Sequence, residues 1–287
     1  MKRRTISFTA IAVILVTSFA ACSKFKNEDS LQSEIKDSKS ATKTFSCAPT
    51  SGTLPVAITP ANEDAVIDAF AALHNDYLNY YFTSLSSQAL PFPSNEYDEH
   101  FRNTAITYFG EHSVVVDNEY YDCIQSSNPD TDLAEFRSSF SAEGLVIYDQ
   151  LCNLADHYEV ENHDDFVVNL NDLYANCNSV AGTERVTLKF AIKIAINSFT
   201  YWKENVEEWV SYYENNYTNS VGVVHEKQMT DKNKQMLVKA GKADLKGAIR
   251  GATGGGLGGG PAGAVAGGLV GAGVYSAASI VWSAIFG

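Results

Sequence analysis

Between residues 247 and 271 glycine returns at every fourth position, as Gly247, Gly251, Gly255, Gly259, Gly263, Gly267 and Gly271. Four residues advance an α-helix by about 400°, so the seven form one slowly drifting stripe without side chains. Such a stripe lets a second helix approach the backbone closely, the small-xxx-small packing found between membrane helices. It is costly when nothing lies on it. Thirteen glycines fall between residues 247 and 276. At up to about 1 kcal/mol each relative to alanine, they disfavour an isolated helix by on the order of 10 kcal/mol. The segment therefore requires a packing partner, a membrane, or both.

Pro261 divides the segment. The arm before it carries Lys242, Asp244, Lys246 and Arg250, whereas residues 262–286 hold no charge. Twenty-five residues make about 37 Å of helix, enough to cross a hydrocarbon core of about 30 Å with tilt. Trp282 and Phe286 suit an interface. The expected form is a helical hairpin turning near residues 258–261, its glycine faces packed together. Insertion in a bilayer and folding back as a lid over the rest of the chain are both compatible with these residues. With its steps "KGAIRGA", "GPAGAVAGG" and "VGAG", the tail resembles glycine-zipper segments and class II bacteriocin-type peptides. The resemblance covers about forty residues of 287 and implies membrane association and self-association by close helix packing.

The front of the chain reads as a targeting segment. Lys2, Arg3 and Arg4 precede a short apolar stretch, residues 6–19, followed by "FAAC" ending at Cys22. This resembles the lipobox of bacterial lipoprotein signals, with Phe19 where that motif usually carries an aliphatic residue. The resemblance implies removal of residues 1–21 and acylation of Cys22. Several acyl chains, at about 0.8 kcal/mol per buried methylene, give a stable anchor. Residues 22–58 begin with a polar, Ser- and Lys-rich run and read as a flexible tether. Within it "KNED", residues 26–29, is similar to the surface-export signal of lipoproteins in Bacteroides-like bacteria. "SFTYWKEN", residues 198–205, resembles a stretch in uncharacterised envelope proteins of the same group. The implied location is the outer membrane, lipid-anchored, with periplasmic and surface orientations both open.

Charge is unevenly placed. Residues 44–224 carry twenty-seven acidic and six basic side chains, and residues 225–250 carry seven basic and three acidic. Phosphate contacts need clustered Lys and Arg, so the acidic body excludes a nucleic-acid partner. The basic collar suits anionic lipid headgroups, and equally an exposed helix face. Besides Cys22, the chain has Cys47, Cys123, Cys152 and Cys177, which in an oxidising envelope suggest two disulfides of open pairing. A Cys152–Cys177 bond would clip two neighbouring helices together.

The body, residues 59–224, reads as an all-α bundle. Thr59 and Pro60 mark a helix start, followed by Val66, Phe70, Leu73, Tyr77, Tyr80 and Tyr81 at helical spacing. Further helices are expected over residues 97–111, from about 131 to 157 with a bend at Gly144, over 164–177, and from Gly182 to about Asn216. "SVVVDNEYYDCI", from residue 113, is compatible with strand, helix or loop. The expected architecture is thus a disordered tether, a helical body, and a basic collar with a Gly-rich helical hairpin over residues 225–287.

No catalytic constellation appears. None of the six histidines has an acidic residue three positions before it, and HExxH, GxSxG and a Walker loop are absent. "HYEVENHDD" (His157, Glu159, Glu161, His163, Asp164, Asp165) offers metal-type ligands but reads more simply as a polar loop, as does "EYDEH" at residues 96–100. The tyrosine pairs Tyr80–Tyr81, Tyr120–Tyr121 and Tyr212–Tyr213 could stack on sugars, though one ring in the core and one at its rim is the commoner use. The reading is of a non-enzymatic, cofactor-free, lipid-anchored envelope protein of structural or interaction type, whose partners are membrane lipid and its own copies. A pore-forming toxin and a glycan-binding lipoprotein are the alternatives.

Overall fold

The computed structural model describes residues 54–87, 94–114, 137, 139–217 and 229–286, with the backbone alone for residues 94–99, 101, 102, 213–217 and 276–286. Six helices build it: α1 (Glu63–Ser86), α2 (Ser94–Glu111), α3 (Ala142–Asp156), α4 (His163–Asn176), α5 (Gly182–Tyr217) and α6 (Asp231–Phe286). Short 3₁₀ turns, Val160–Asn162 and Cys177–Ser179, flank α4. No strand occurs among the described residues. The protein is all-α.

The fold is organised around α5, which packs against α1, α3, α4 and α6. Its sequence explains the position. Val186, Leu188, Phe190, Ala191, Ile192, Ile194 and Ala195 are buried on all sides of the helix, and a helix apolar all round belongs in the middle. One-sided periodicity captured only part of this. Helix α1 is the amphipathic case: Val66, Phe70, Tyr77 and Tyr81 face the core, while Tyr80 stays 40% exposed. Between α1, α2 and α5 lies an aromatic layer. Tyr77 sits 4.9 Å from Phe109, and Trp209 lies 5.2 Å from Trp202 and 4.8 Å from Phe82, ring centre to ring centre.

Local chemistry corrects three expectations. Helix α1 starts at Glu63, with Asn62 and not Thr59 at the cap position. Thr59 instead donates its N–H (2.7 Å) and hydroxyl (3.0 Å) to Asn62 Oδ1, which closes a turn before the helix. The helix expected to bend at Gly144 begins at Ala142, capped by Ser141, whose hydroxyl accepts from the Gly144 N–H. Gly144 serves a close approach: the Glu184 carboxylate occupies the space a Cβ there would fill. That carboxylate accepts from the Ser141 N–H at 2.8 Å, a negative charge at the positive end of α3. The Cys152–Cys177 disulfide is not formed. Cys177 is fully buried at the end of α4 and donates to Leu173 O, its thiol pushed up to about 12 by burial. Cys152 lies half-buried beside Tyr148 on α3. Cys22, Cys47 and Cys123 lie outside the described residues, as do most of "SVVVDNEYYDCI" and the pair Tyr120–Tyr121.

Candidate functional site

Helix α6 is two arms joined by one reversal. Gly260 stands at φ 62°, ψ −152°, a region open essentially to glycine alone. Pro261 follows at the first position of the second arm, where its missing N–H costs nothing. The arms run back along each other in a fixed register: Gly247 meets Gly271, Gly251 meets Gly267, and Gly255 meets Gly263. At each crossing a Cβ on one glycine would run into the backbone carbonyl of the other, closer than real Cβ atoms come. The three pairs are centred on Gly259, which with Leu257 and Gly258 forms an exposed tip. Gly259 is therefore in sequence register with the stripe but not part of its packed face.

A second set of small residues seats the hairpin on the body. A Cβ on Gly241 would meet the Phe199 ring at 2.9 Å, and one on Gly268 the Phe190 ring at 2.7 Å. At Gly256 it would meet the Thr183 methyl at 2.7 Å, and at Gly273 the Tyr77 ring at 3.1 Å. These four glycines fall outside the fourth-position register, which is why the repeat did not single them out. Gly268 directly follows Gly267, about 100° further round the helix, where it faces the Phe190 ring of α5 as well as Ala252 of the first arm. Between the two glycine faces Ile249, Val265, Leu269 and Val270 are buried.

Polar groups mark the seam. Arg250, 5% exposed, donates to the Tyr275 hydroxyl on the opposite arm and clasps the hairpin. Lys242 reaches Asp156 at 3.0 Å, and Lys234 pairs with Glu161, so two cations of the collar engage the acidic body. Asp244 is fully buried. Its Oδ2 accepts from the Ser198 hydroxyl and, at 2.8 Å, from Trp202 Nε1, both on α5. His74 of α1, also fully buried, brings Nε2 to 3.6 Å from the same oxygen.

The described members of the other candidate clusters make contacts within the protein. Among the described residues no group of three His, Cys, Asp or Glu side chains could hold a metal ion. His157 pairs with Asn153 O, and Glu159 accepts from Asn162. His163 is buried against the Tyr158 hydroxyl, and burial, then the nearby Lys203, lowers its proton affinity. Tyr81 is in the core with Tyr80 at the rim, and the Tyr212 hydroxyl donates to Leu85 O. Side chains of residues 96–99 and of Tyr213 are not described.

A separate ion network ties α1 to α5. Glu63 is held by Arg185 Nη2 at 2.8 Å and Lys189 Nζ at 3.0 Å, and Asp64 by Lys189 at 2.9 Å and the Tyr174 hydroxyl at 2.7 Å. Burial alone would raise the Glu63 carboxyl, but the donors on Arg185 and Lys189 outweigh it and hold the group below its ordinary value. Sequence reading missed this network because its members are 122 and 125 positions apart.

Helix α6 as far as Tyr275 is long and apolar enough for membrane association, and 67% of its most apolar stretch is covered by the protein itself. No protein-family model matches the chain, and neither a curated protein nor a solved structure matches it.

Proposed function

We propose that the chain is a lipid-anchored protein of the bacterial outer membrane, of structural or interaction type, whose helical body carries a glycine hairpin for delivery to a membrane. The observation that supports this reading is the separation of the hairpin's two packing faces. The pairs Gly247–Gly271, Gly251–Gly267 and Gly255–Gly263 are internal, whereas Gly241, Gly256, Gly268 and Gly273 lie against the body. Leaving the body costs the hairpin the second set, the Asp244 bonds to Ser198 and Trp202 and the ion pairs of Lys242 and Lys234, but not the first set. Lipid can cover Ile249, Val265, Leu269 and Val270, which are buried in the folded protein, while the glycine contacts persist. Arg250 remains clasped to Tyr275.

Cys22 would supply the first anchor and the hairpin the second. The test compares carbonate-washed membranes from cells carrying the full chain, Cys22→Ala, and Cys22→Ala lacking residues 239–287. Retention of Cys22→Ala that disappears on removing the hairpin is expected. A fully soluble Cys22→Ala chain would refute the insertion. A second reading, a pore-forming toxin, draws support from the 25 chargeless residues after Pro261. It predicts dye release from vesicles by the full chain, and intact vesicles at micromolar protein would exclude it.

A further inference from the structure

The charges of the hairpin stop at one level. Arg250 is the last charged side chain before the reversal at Gly260, and none follows it to the end of the chain. Between Arg250 and Tyr275 the only polar side chain is that of Thr253. Arg250 donates to the Tyr275 hydroxyl, and Tyr275 lies further from the reversal than Gly271 does. The guanidinium therefore points away from the tip, as helical side chains lean toward their own N-terminus. Behind Arg250 the first arm carries Lys246, Asp244, Lys242 and Lys239. Ahead of it the arm ends in the exposed tip. There Leu257 is 64% exposed, more than any other large apolar side chain among the described residues.

This level limits how far the hairpin can enter a bilayer. The pairs Gly247–Gly271, Gly251–Gly267 and Gly255–Gly263 hold the two arms in register, so neither arm moves deeper without the other. The second arm alone has the length to cross. Paired with the first, it could do so only by drawing Asp244 and the lysines beside it into hydrocarbon, where each charge is costly. Beyond Arg250 the first arm has nine residues, 251–259. They make about 14 Å of helix, against about 15 Å for half of a hydrocarbon core of about 30 Å.

We infer that the partner of the hairpin is a single lipid leaflet, entered tip first, with Leu257 near the bilayer midplane and the Arg250–Tyr275 clasp among the headgroups; the inference rests on the membrane-delivery reading above. Tyrosine is favoured at that level, and arginine keeps its charge in water there while its stem lies along lipid. Asp244 then exchanges its bonds to Ser198 and Trp202 for water and headgroups, not for hydrocarbon. Because the chain turns back at Gly260, the body and the end of the second arm stay on the same face of the membrane.

Partitioning of the full chain carrying Cys22→Ala into vesicles of phosphatidylcholine and phosphatidylglycerol tests the depth. Leu257→Arg alters an exposed side chain and should leave the thermal midpoint of the free protein unchanged. On vesicles it places a charge at the bilayer centre and should lower the partition coefficient by about 100-fold. Val146→Arg adds the same charge at an exposed position of α3 and should not lower it. Leu257→Trp reads the depth a second way. Its fluorescence in excess of the parent's should be quenched most by lipids brominated near the ends of their acyl chains. A Leu257→Arg chain that binds as the parent does overturns the proposal, as does quenching that is strongest from bromines next to the headgroups. In both cases the membrane reading survives. A parent that stays off the vesicles sinks the membrane reading, and the depth with it.

Discussion

The aromatic layer and the glycine hairpin are packed by opposite means. Around Tyr77, Tyr81, Phe109, Trp202 and Trp209 the helices are held apart by large rings that fill the space between them. Where Gly251 meets Gly267 there is nothing to fill, and backbone lies against backbone. The first arrangement gains from the apolar area each ring removes from water. The second gains from close contact of peptide groups, which is equally available in lipid. Position by position, the layer should tolerate loss of volume poorly and the hairpin should tolerate its addition poorly.

The sharpest break of this contrast is Trp202→Ala. It empties a fully buried site and removes the Nε1 donor to Asp244. The expected cost is about 3–5 kcal/mol in chemical denaturation. Gly251→Ala is the opposite error. The added methyl meets the Gly267 carbonyl, which cannot move without shifting a helix. A loss of about 1–3 kcal/mol is expected, although alanine is the better helix former. A stabilised Gly251→Ala chain would mean that the arms do not touch at this level.

The ion network sharpens the comparison from the body's side. Glu63 and Asp64 are both held below their ordinary values, of 4.5 and 3.8, in the folded protein. Their contribution is present above those values and is lost as pH falls through the lower, folded ones. Glu63→Gln should cost about 1.5 kcal/mol near neutrality and flatten the acid limb of a thermal-midpoint titration. An unchanged acid limb would place acid sensitivity elsewhere. At Gly256 the obstacle is only the Thr183 methyl at 2.7 Å, the end of a side chain that can give way, so Gly256→Ala should change stability by less than ~1 kcal/mol. Smallest is Gly110→Ala, where a Cβ meets nothing within 4 Å. A gain of a few tenths, up to about 0.5 kcal/mol, is expected in the same denaturation assay.

Much of the architecture was readable because it is local. The hairpin followed from the glycine register and Pro261, and the reversal falls at Gly260, within the predicted turn. Helix α4 was expected over residues 164–177 and is His163–Asn176. The long α5 was expected to end near residue 216 and ends at Tyr217. What went unread depends on distant partners. Gly144 resembles a bend until Glu184 arrives from forty positions away. Cys152 and Cys177 look pairable until Cys177 is seen bonded to Leu173 O inside the core. His74 and Asp244 look like ordinary surface-helix residues until α1 and α6 close over both.

The sequence by itself determined the helices, the turn between the two glycine arms and the glycine register in which those arms meet. Periodicity, proline and glycine act within a few turns of their own helix, and arms joined by a short turn have few ways to align. The tertiary structure alone decided which side of the hairpin faces the body, and that a histidine and an aspartate meet there without solvent. Burial and hydrogen-bond pairing across 170 positions are properties of the packed chain, fixed by the competition among all its apolar faces for the place that α5 holds.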